Sequence, residues 1–149
     1  MQPISIIIPT YNNENTIVDK IESVKKQTSQ SWSCIIVDDH STDRTVRKIK
    51  SMIANDGRFQ LIESSSNRDA NFCKNIGLKS SKGDFLIFLN GDDMLYPTCI
   101  EARITFIKKL LDLDMLISQT TYFEHDINNI IDVLNRQIKV IPKEIRKRD

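Results

Sequence analysis

Phe85-Leu-Ile-Phe-Leu-Asn-Gly-Asp-Asp-Met94 joins an apolar run to two adjacent carboxylates. A run as rich in aromatic and branched residues as Phe85 to Leu89 predicts a strand buried on both faces. Asn90, Gly91, Asp92 and Asp93 then put acidic side chains at the strand's carboxyl edge, where open α/β sheets bind ligands. Two neighbouring carboxylates repel each other, and a divalent cation or a hydrogen-bonded polyol usually meets that cost. The plainer alternative is a solvated polar turn. This stretch alone does not choose between them.

A second acidic strand end lies upstream. Ser33 to Val37 predicts a buried strand that closes on Asp38 and Asp39. Before it, Ile4 to Ile8 is a branched strand stopped by Pro9, and a polar loop leads to a helix over about Thr16 to Gln27. Ile17, Ile21 and Val24 share one face of that helix. Ser41, Thr42 and Asp43 read as caps of a helix carrying Val46, Ile49, Met52 and Ile53. Phe59 to Ile62 is a third strand, Ala70 to Lys79 a helix, and Asp84 to Leu89 the strand quoted above. After Pro97 a helix is expected to about Leu111, then a strand over Asp114 to Thr121 and a short helix over Ile127 to Leu134. This alternation predicts an α/β fold, a mainly parallel central sheet flanked by helices on both faces. Right-handed crossovers bring the carboxyl ends of parallel strands to one edge. There Pro9 to Glu14, Asp38 to Ser41, Glu63 to Arg68 and Asn90 to Asp93 meet and can form one polar pocket.

Composition narrows the function. With 149 residues, 40% apolar and 28% charged, the chain suits a globular domain with a sizeable core, and its formal charge of +1 offers no general attraction to nucleic acid. Lys139 to Asp149 holds five cations against two anions, leaving −2 on the rest. That basic tail is expected to be solvated, the alternative being weak contact with anionic lipid or a partner. Cys34, Cys73 and Cys99 form no close pair, so a reducing, cytoplasmic setting is expected. Two histidines, His40 and His125, assemble no zinc site of recognisable spacing. Glycine is scarce, four in all, and neither G-x-G-x-x-G nor G-x-x-x-x-G-K-[ST] occurs. Phosphates held without a glycine cradle generally need a metal, and Asp92 with Asp93 is the natural place for one. Asp38 either reaches the crevice or braces neighbouring backbone. Lys74 either faces a phosphate or is an ordinary exposed lysine.

Five segments then occur in order: Ile4-Ser-Ile-Ile-Ile-Pro-Thr-Tyr-Asn12, Val37-Asp-Asp-His-Ser-Thr-Asp43, Asn75-Ile-Gly-Leu78, Lys82-Gly-Asp-Phe85 and Phe88-Leu-Asn-Gly-Asp-Asp93. As a set, spanning roughly Pro3 to Phe123, they resemble the N-terminal, nucleotide-sugar-binding half of a family-two glycosyltransferase of the GT-A fold, a Rossmann-like nucleotide-diphospho-sugar transferase. The resemblance implies an inverting transferase that uses a UDP-sugar donor, Mg²⁺ or Mn²⁺, and a glycan or lipid-linked acceptor. By position, Pro9, Tyr11 and Glu14 belong to the first nucleotide loop, and Asp39 hydrogen-bonds uracil with Asn67 nearby. Lys74 stands where the family usually has an arginine facing the nucleotide. Asp92 and Asp93 end the D-x-D element, with Asp92 toward ribose or sugar and both toward metal.

The chain also departs from the family pattern. Asn90 replaces the first acid of the element, and His40 and Asp69 replace glycines. The resemblance implies a nucleotide-sugar-binding domain over 1–125 and the start of an acceptor-side region over 126–149. A shortened chain without its general base is expected, since Glu124 and Asp126 sit too early to match that element. Peripheral work at the inner face of a membrane fits such an acceptor. The competing expectations are a non-catalytic nucleotide-sugar-binding module, a receiver-type phosphorylation domain and a nucleotidyltransferase.

Overall fold

β1 (Ile4–Thr10) is buried along its whole length, as expected of a strand at the centre of a sheet covered on both faces. The computed structural model describes residues 4–90, 93–109, 115–117 and 139–141. After β1 come α1 (Ile17–Lys25), β2 (Trp32–Asp38), α2 (Thr45–Ile53), β3 (Phe59–Glu63), α3 (Ala70–Ser80), β4 (Phe85–Phe88) and α4 (Cys99–Lys109). β5 (Met115–Ile117) and β6 (Lys139–Ile141) follow. The first four strands form one parallel sheet in the order β3-β2-β1-β4. A receiver-type sheet runs 2-1-3-4-5, so that expectation is overturned.

Strand order also assigns the helices to faces. The crossovers β1-α1-β2 and β2-α2-β3 step one way across the sheet, and β3-α3-β4 steps back past β1. With right-handed connections, α1 and α2 therefore cover one face and α3 the other. Residues alternate accordingly. Ile4, Ile6 and Ile8 lie on the α1–α2 side with Ile17, Ile21, Val24 and Ile49, all at most 1% exposed. Ile35, Val37 and Cys73 form the core on the α3 side, with Ile62, Phe72 and Ile76 packed against it. Full burial pushes the Cys34 thiol well above its ordinary range.

Three expectations change. Pro9 does not stop β1, which continues to Thr10 with Pro9 opposite Val37. The carbonyl of Ile7 accepts from Leu89 N–H at 2.9 Å, so Ile7 and, two residues on, Pro9 both turn their backbone groups toward β4. β4 has ended by then, and no ladder bond needs the missing N–H. Phe85–Phe88 is not buried on both faces: Leu86 and Phe88 are 37% and 42% exposed. They share the α3 face, but α3 packs over β1 and β2, while β4 is the terminal strand of the sheet. Lys139–Ile141, expected as a solvated tail, is a strand, because its backbone pairs antiparallel with β5, Met115 opposite Ile141.

The chain forms two compact units, Met1–Ile100 and Glu101–Asp149. The expected helix over 127–134 and the boundary at 125 lie outside the described residues. Among the described residues, no helix is long and apolar enough to cross a membrane. In the first unit, buried Gln27 anchors the segment after β4. Its side-chain N–H donates to Tyr96 O at 2.8 Å, and its side-chain oxygen accepts from Ile100 N at 3.0 Å. Ser23 Oγ accepts from Leu95 N at 3.1 Å.

α3 reaches the sheet through Gly77, where an added Cβ would lie 2.4 Å from Ile7 Cγ2. Ile7 is fully buried and β-branched, so it has little room to turn. Overpacking costs roughly 1–3 kcal/mol, against a helix-propensity gain of about 1 kcal/mol for alanine. Gly77→Ala should therefore lower the thermal midpoint; an equal or higher midpoint in scanning calorimetry would show that this approach has slack.

Candidate functional site

Strand order reverses at β1, whose sequence successor β2 lies on one side and β4 on the other. In open α/β sheets the ligand crevice forms outside the carboxyl ends of the strands at this switch point. Here it falls between the loop after Thr10 and the turn after Phe88. Register sharpens the placement: Thr10, Asp38 and Glu63 lie level across β1, β2 and β3, whereas Phe88 is opposite Ile7. The turn carrying Asn90 therefore begins before β1 has ended.

Asp38 and Asp39 are 2% and 4% exposed. Buried carboxylates need hydrogen-bond donors, and backbone supplies most of them. Ser41 N donates to Asp38 Oδ2 at 2.9 Å, and the Ser41 hydroxyl donates to the same carboxylate. Asp38 is thus a brace. The carboxylate of Asp39 accepts the single N–H of Arg68 at 3.0 and 3.1 Å on its two oxygens. Asn67 Nδ2 donates to the Asp39 carbonyl at 3.2 Å. Asp39 N donates to Thr10 O, and Ser64 N to Asp38 O, both at 2.8 Å. Behind Asp39, burial first and then the Asp39 charge push the Cys73 thiol up to about 11.

The loops after β1 and β2 are stitched together. Asn12 N donates to Ser41 Oγ and Asn12 Oδ1 accepts from Thr42 N, each at 2.9 Å. Glu14 N donates to Asp43 Oδ2 at 3.1 Å, and Glu14 Oε2 accepts from Arg44 N at 3.0 Å. Both loops contain a residue in the left-handed region, Asn12 at φ 47 and His40 at φ 66. Such a conformation costs an ordinary L-residue about 1–2 kcal/mol, less for Asn and His. It persists where neighbouring bonds over-determine the backbone.

The acidic turn has a different character. Asp93 N donates to Asn90 O at 3.0 Å, while the Asp93 side chain is exposed. The buried Asn90 Oδ1 has no hydrogen-bond partner among the described residues. Asp92 lies outside them. No group of three His, Cys, Asp or Glu residues poised for a metal occurs among the described residues. The donors of this turn are nevertheless all oxygen, one of them an orphaned buried carbonyl, and that set fits a hard divalent cation. Lys74 Nζ sits 5.9 Å from the Phe88 ring centre, beside the strand end that leads into the turn.

Of the residues singled out in the sequence, the structure places Asp39 and Asn67 in contact and Pro9, Tyr11 and Glu14 on the same edge. Tyr11 is 47% exposed, but the Glu14 carboxylate is engaged by Arg44 N. Ser41 and Thr42 are not helix caps: they hold Asn12, and only Asp43 reaches α2, accepting from Thr45 N at 2.9 Å. Sequence reading missed the Asn12 link, whose one signal is a small amide in the loop facing a Ser-Thr pair. It placed Arg68 in the edge loop but gave it no role; the Arg68 N–H holds Asp39, and its guanidinium lies 4.4 Å over the Phe72 ring.

Known proteins are similar to this chain in sequence and fold. The profile described as Glycosyl transferase family 2 matches residues 5–148. The chain is 36% identical, over 71% of its length and 41% of the relative's, to UDP-Glc:alpha-D-GlcNAc-diphosphoundecaprenol beta-1,3-glucosyltransferase WfgD of Escherichia coli. It is 35% identical to poly(ribitol-phosphate) beta-N-acetylglucosaminyltransferase TarP of Staphylococcus aureus, covering 73% of this chain and 34% of TarP. The crystal structure of S. aureus TarS 1-349 in complex with UDP-GlcNAc superposes with a TM-score of 0.67 at 26% identity, over 72% of this chain and 32% of that TarS 1-349 chain. The chain spans about two fifths of the length of the first curated relatives that it matches.

Asp43 offers a direct check on the stitching. Burial pushes its carboxyl up, but the nearby Thr45 hydroxyl and the Thr45 and Glu14 N–H groups, which donate to it at 2.9 and 3.1 Å, outweigh that and hold it below its ordinary value. A lowered folded-state pKa contributes stability above the unfolded value of about 4 and loses it as pH falls through the folded value. The unfolding midpoints of wild type and Asp43→Asn should differ at neutral pH and converge in acid. A pH-independent gap would remove the ionised carboxylate from the loop's support.

Proposed function

The chain belongs to glycosyl transferase family 2, and from that premise we propose that its carboxyl edge binds a UDP-sugar and presents the sugar for inverting transfer to a hydroxyl of a glycan or lipid-linked acceptor. One observation carries the reading: a buried carboxylate, Asp39, is fixed by the backbone N–H of Arg68 at the carboxyl edge of the sheet with acceptor capacity to spare. Uridine is favoured as the nucleoside because the similar TarS chain was crystallised with UDP and with UDP-GlcNAc.

In this reading Asp39 accepts the imide N–H of uracil, with Asn67 completing the base end. Tyr11 offers its exposed ring to the nucleoside, and Pro9 lines the floor of the first loop. Glu14 acts by holding that loop against α2. Lys74 turns its cation toward the diphosphate, and Asp92 toward ribose or sugar. Asp92 and Asp93 would hold Mg²⁺ or Mn²⁺, which when bound neutralises charge on the departing diphosphate. Transfer also requires a general base beside the acceptor hydroxyl. We place the donor domain in 1–125 and the start of the acceptor side in 126–149. The undecaprenol-linked acceptor in the name of WfgD supports work at the cytoplasmic membrane face and a role in envelope polysaccharide synthesis.

Titration calorimetry of the 149-residue chain with UDP tests the reading. Binding should be tight with Mn²⁺ and much weaker in EDTA; equal affinities would eliminate the metal. Asp39→Ala should lose about 1.5–3 kcal/mol, the worth of a charge-assisted hydrogen bond. Unchanged UDP affinity in that variant would take Asp39 out of the site.

A further inference from the structure

His40 follows Asp39 directly and holds a left-handed backbone, φ 66, that glycine adopts without penalty. The turn does not need the imidazole. Its shape is fixed on either side by Asp39 N to Thr10 O at 2.8 Å, Asn67 Nδ2 to Asp39 O at 3.2 Å and Ser41 N to Asp38 Oδ2 at 2.9 Å. All three bonds avoid the His40 side chain and would hold a glycine equally well. The imidazole is exposed, at the edge where Asp39, Asn67 and Arg68 converge. A conformational cost is thus carried by a side chain that the local fold does not use.

We propose that His40 is a base-reading, specificity-determining residue of the donor pocket: its imidazole N–H donates to a pyrimidine carbonyl while Asp39 accepts the neighbouring imide N–H. The inference rests on the donor-site reading above and deepens it. A uracil edge presents one N–H between two carbonyls, so its recognition needs an acceptor flanked by a donor. Asp39 is an acceptor only, and one of the two N–H donors of the nearby Asn67 amide is held by the Asp39 carbonyl. That leaves Asn67 one N–H for the base and the other carbonyl to be read by a further donor. Residue 40 is adjacent in the chain, and neutral imidazole carries one N–H. Cytosine keeps the C2 carbonyl but has a ring acceptor in place of the imide N–H and an amino donor in place of the C4 carbonyl. A His40 N–H set on the C4 carbonyl of uracil and the Asp39 carboxylate would therefore both lose their partners with cytosine. Unpaired polar groups of that kind are what make a polar site selective.

Calorimetry with UDP and CDP, paired with thermal unfolding, tests this on the 149-residue chain. His40→Gly should raise the unfolding midpoint by relieving the backbone, yet weaken UDP binding by about tenfold, one lost hydrogen bond's worth, and shrink the UDP-over-CDP preference. His40→Asn, which also tolerates a positive φ and keeps an amide donor, should retain part of that preference. A His40→Gly chain of higher midpoint with wild-type UDP affinity and wild-type preference would overturn the role of His40 and leave the donor site standing. Wild type that binds neither nucleotide would overturn the donor site itself, and this inference with it.

Discussion

Two adjacent carboxylates, Asp38 and Asp39, are buried at the end of β2, and the carboxyl edge of the sheet is organised around satisfying them. A buried charge without hydrogen bonds is far more costly than any single contact in the loops. Donors must therefore be brought to it, and they come from different segments: Ser41 from the loop after β2, and Arg68 from the loop after β3. Thr10 of β1 joins by accepting Asp39 N–H. Each donor fixes a backbone, and each fixed backbone fixes the next loop. The thiol of Cys73, neutral because burial and Asp39 push its titration up, places no second charge under the pair.

That edge is only as firm as the sheet beneath it. β1 is paired on both sides and packed on both faces, with α3 brought close by the absence of a side chain at Gly77. At the other end, Gln27 and Ser23 use buried polar groups to hold residues 95–100, so the chain leaves the acidic turn along a set path. Asn12 and His40 hold a left-handed backbone, and at both the bonds to a neighbouring loop, Asn12 N to Ser41 Oγ and Asn67 Nδ2 to Asp39 O, outweigh the backbone preference.

Much of this was readable in the sequence because it is periodic. Ile17, Ile21 and Val24 announce a helix face, Ile4 to Ile8 a buried strand, and the alternation of the two announces a parallel sheet with one functional edge. What could not be read depends on partners far away in the chain. Pro9 stays in β1 only because β4 is shorter at that end, and Leu86 and Phe88 are exposed only because α3 sits over β1 and β2. Ser41, Thr42 and Asp43 carry the chemistry of helix caps, and local sequence cannot tell that Ser41 and Thr42 are taken by Asn12, about thirty residues upstream. Asp92 lies outside the described residues.

The two acidic strand ends look alike as sequence, yet their surroundings give them opposite chemistry. Asp38 and Asp39 sit among N–H donors, and to bind a dehydrated cation they would have to release the bonds that shape the pocket. Asp39 keeps room for one more N–H, which is the demand a nucleobase makes. At the second strand end the donors are missing instead: Asp93 is exposed, and Asn90 Oδ1 is buried with no partner among the described residues. Oxygens without donors are what a cation seeks. On the proposed donor reading, the carboxylates that already accept backbone hydrogen bonds belong to the base end and those without donors to the diphosphate end. β1 lies between β2 and β4 in the sheet and so separates the two acidic strand ends.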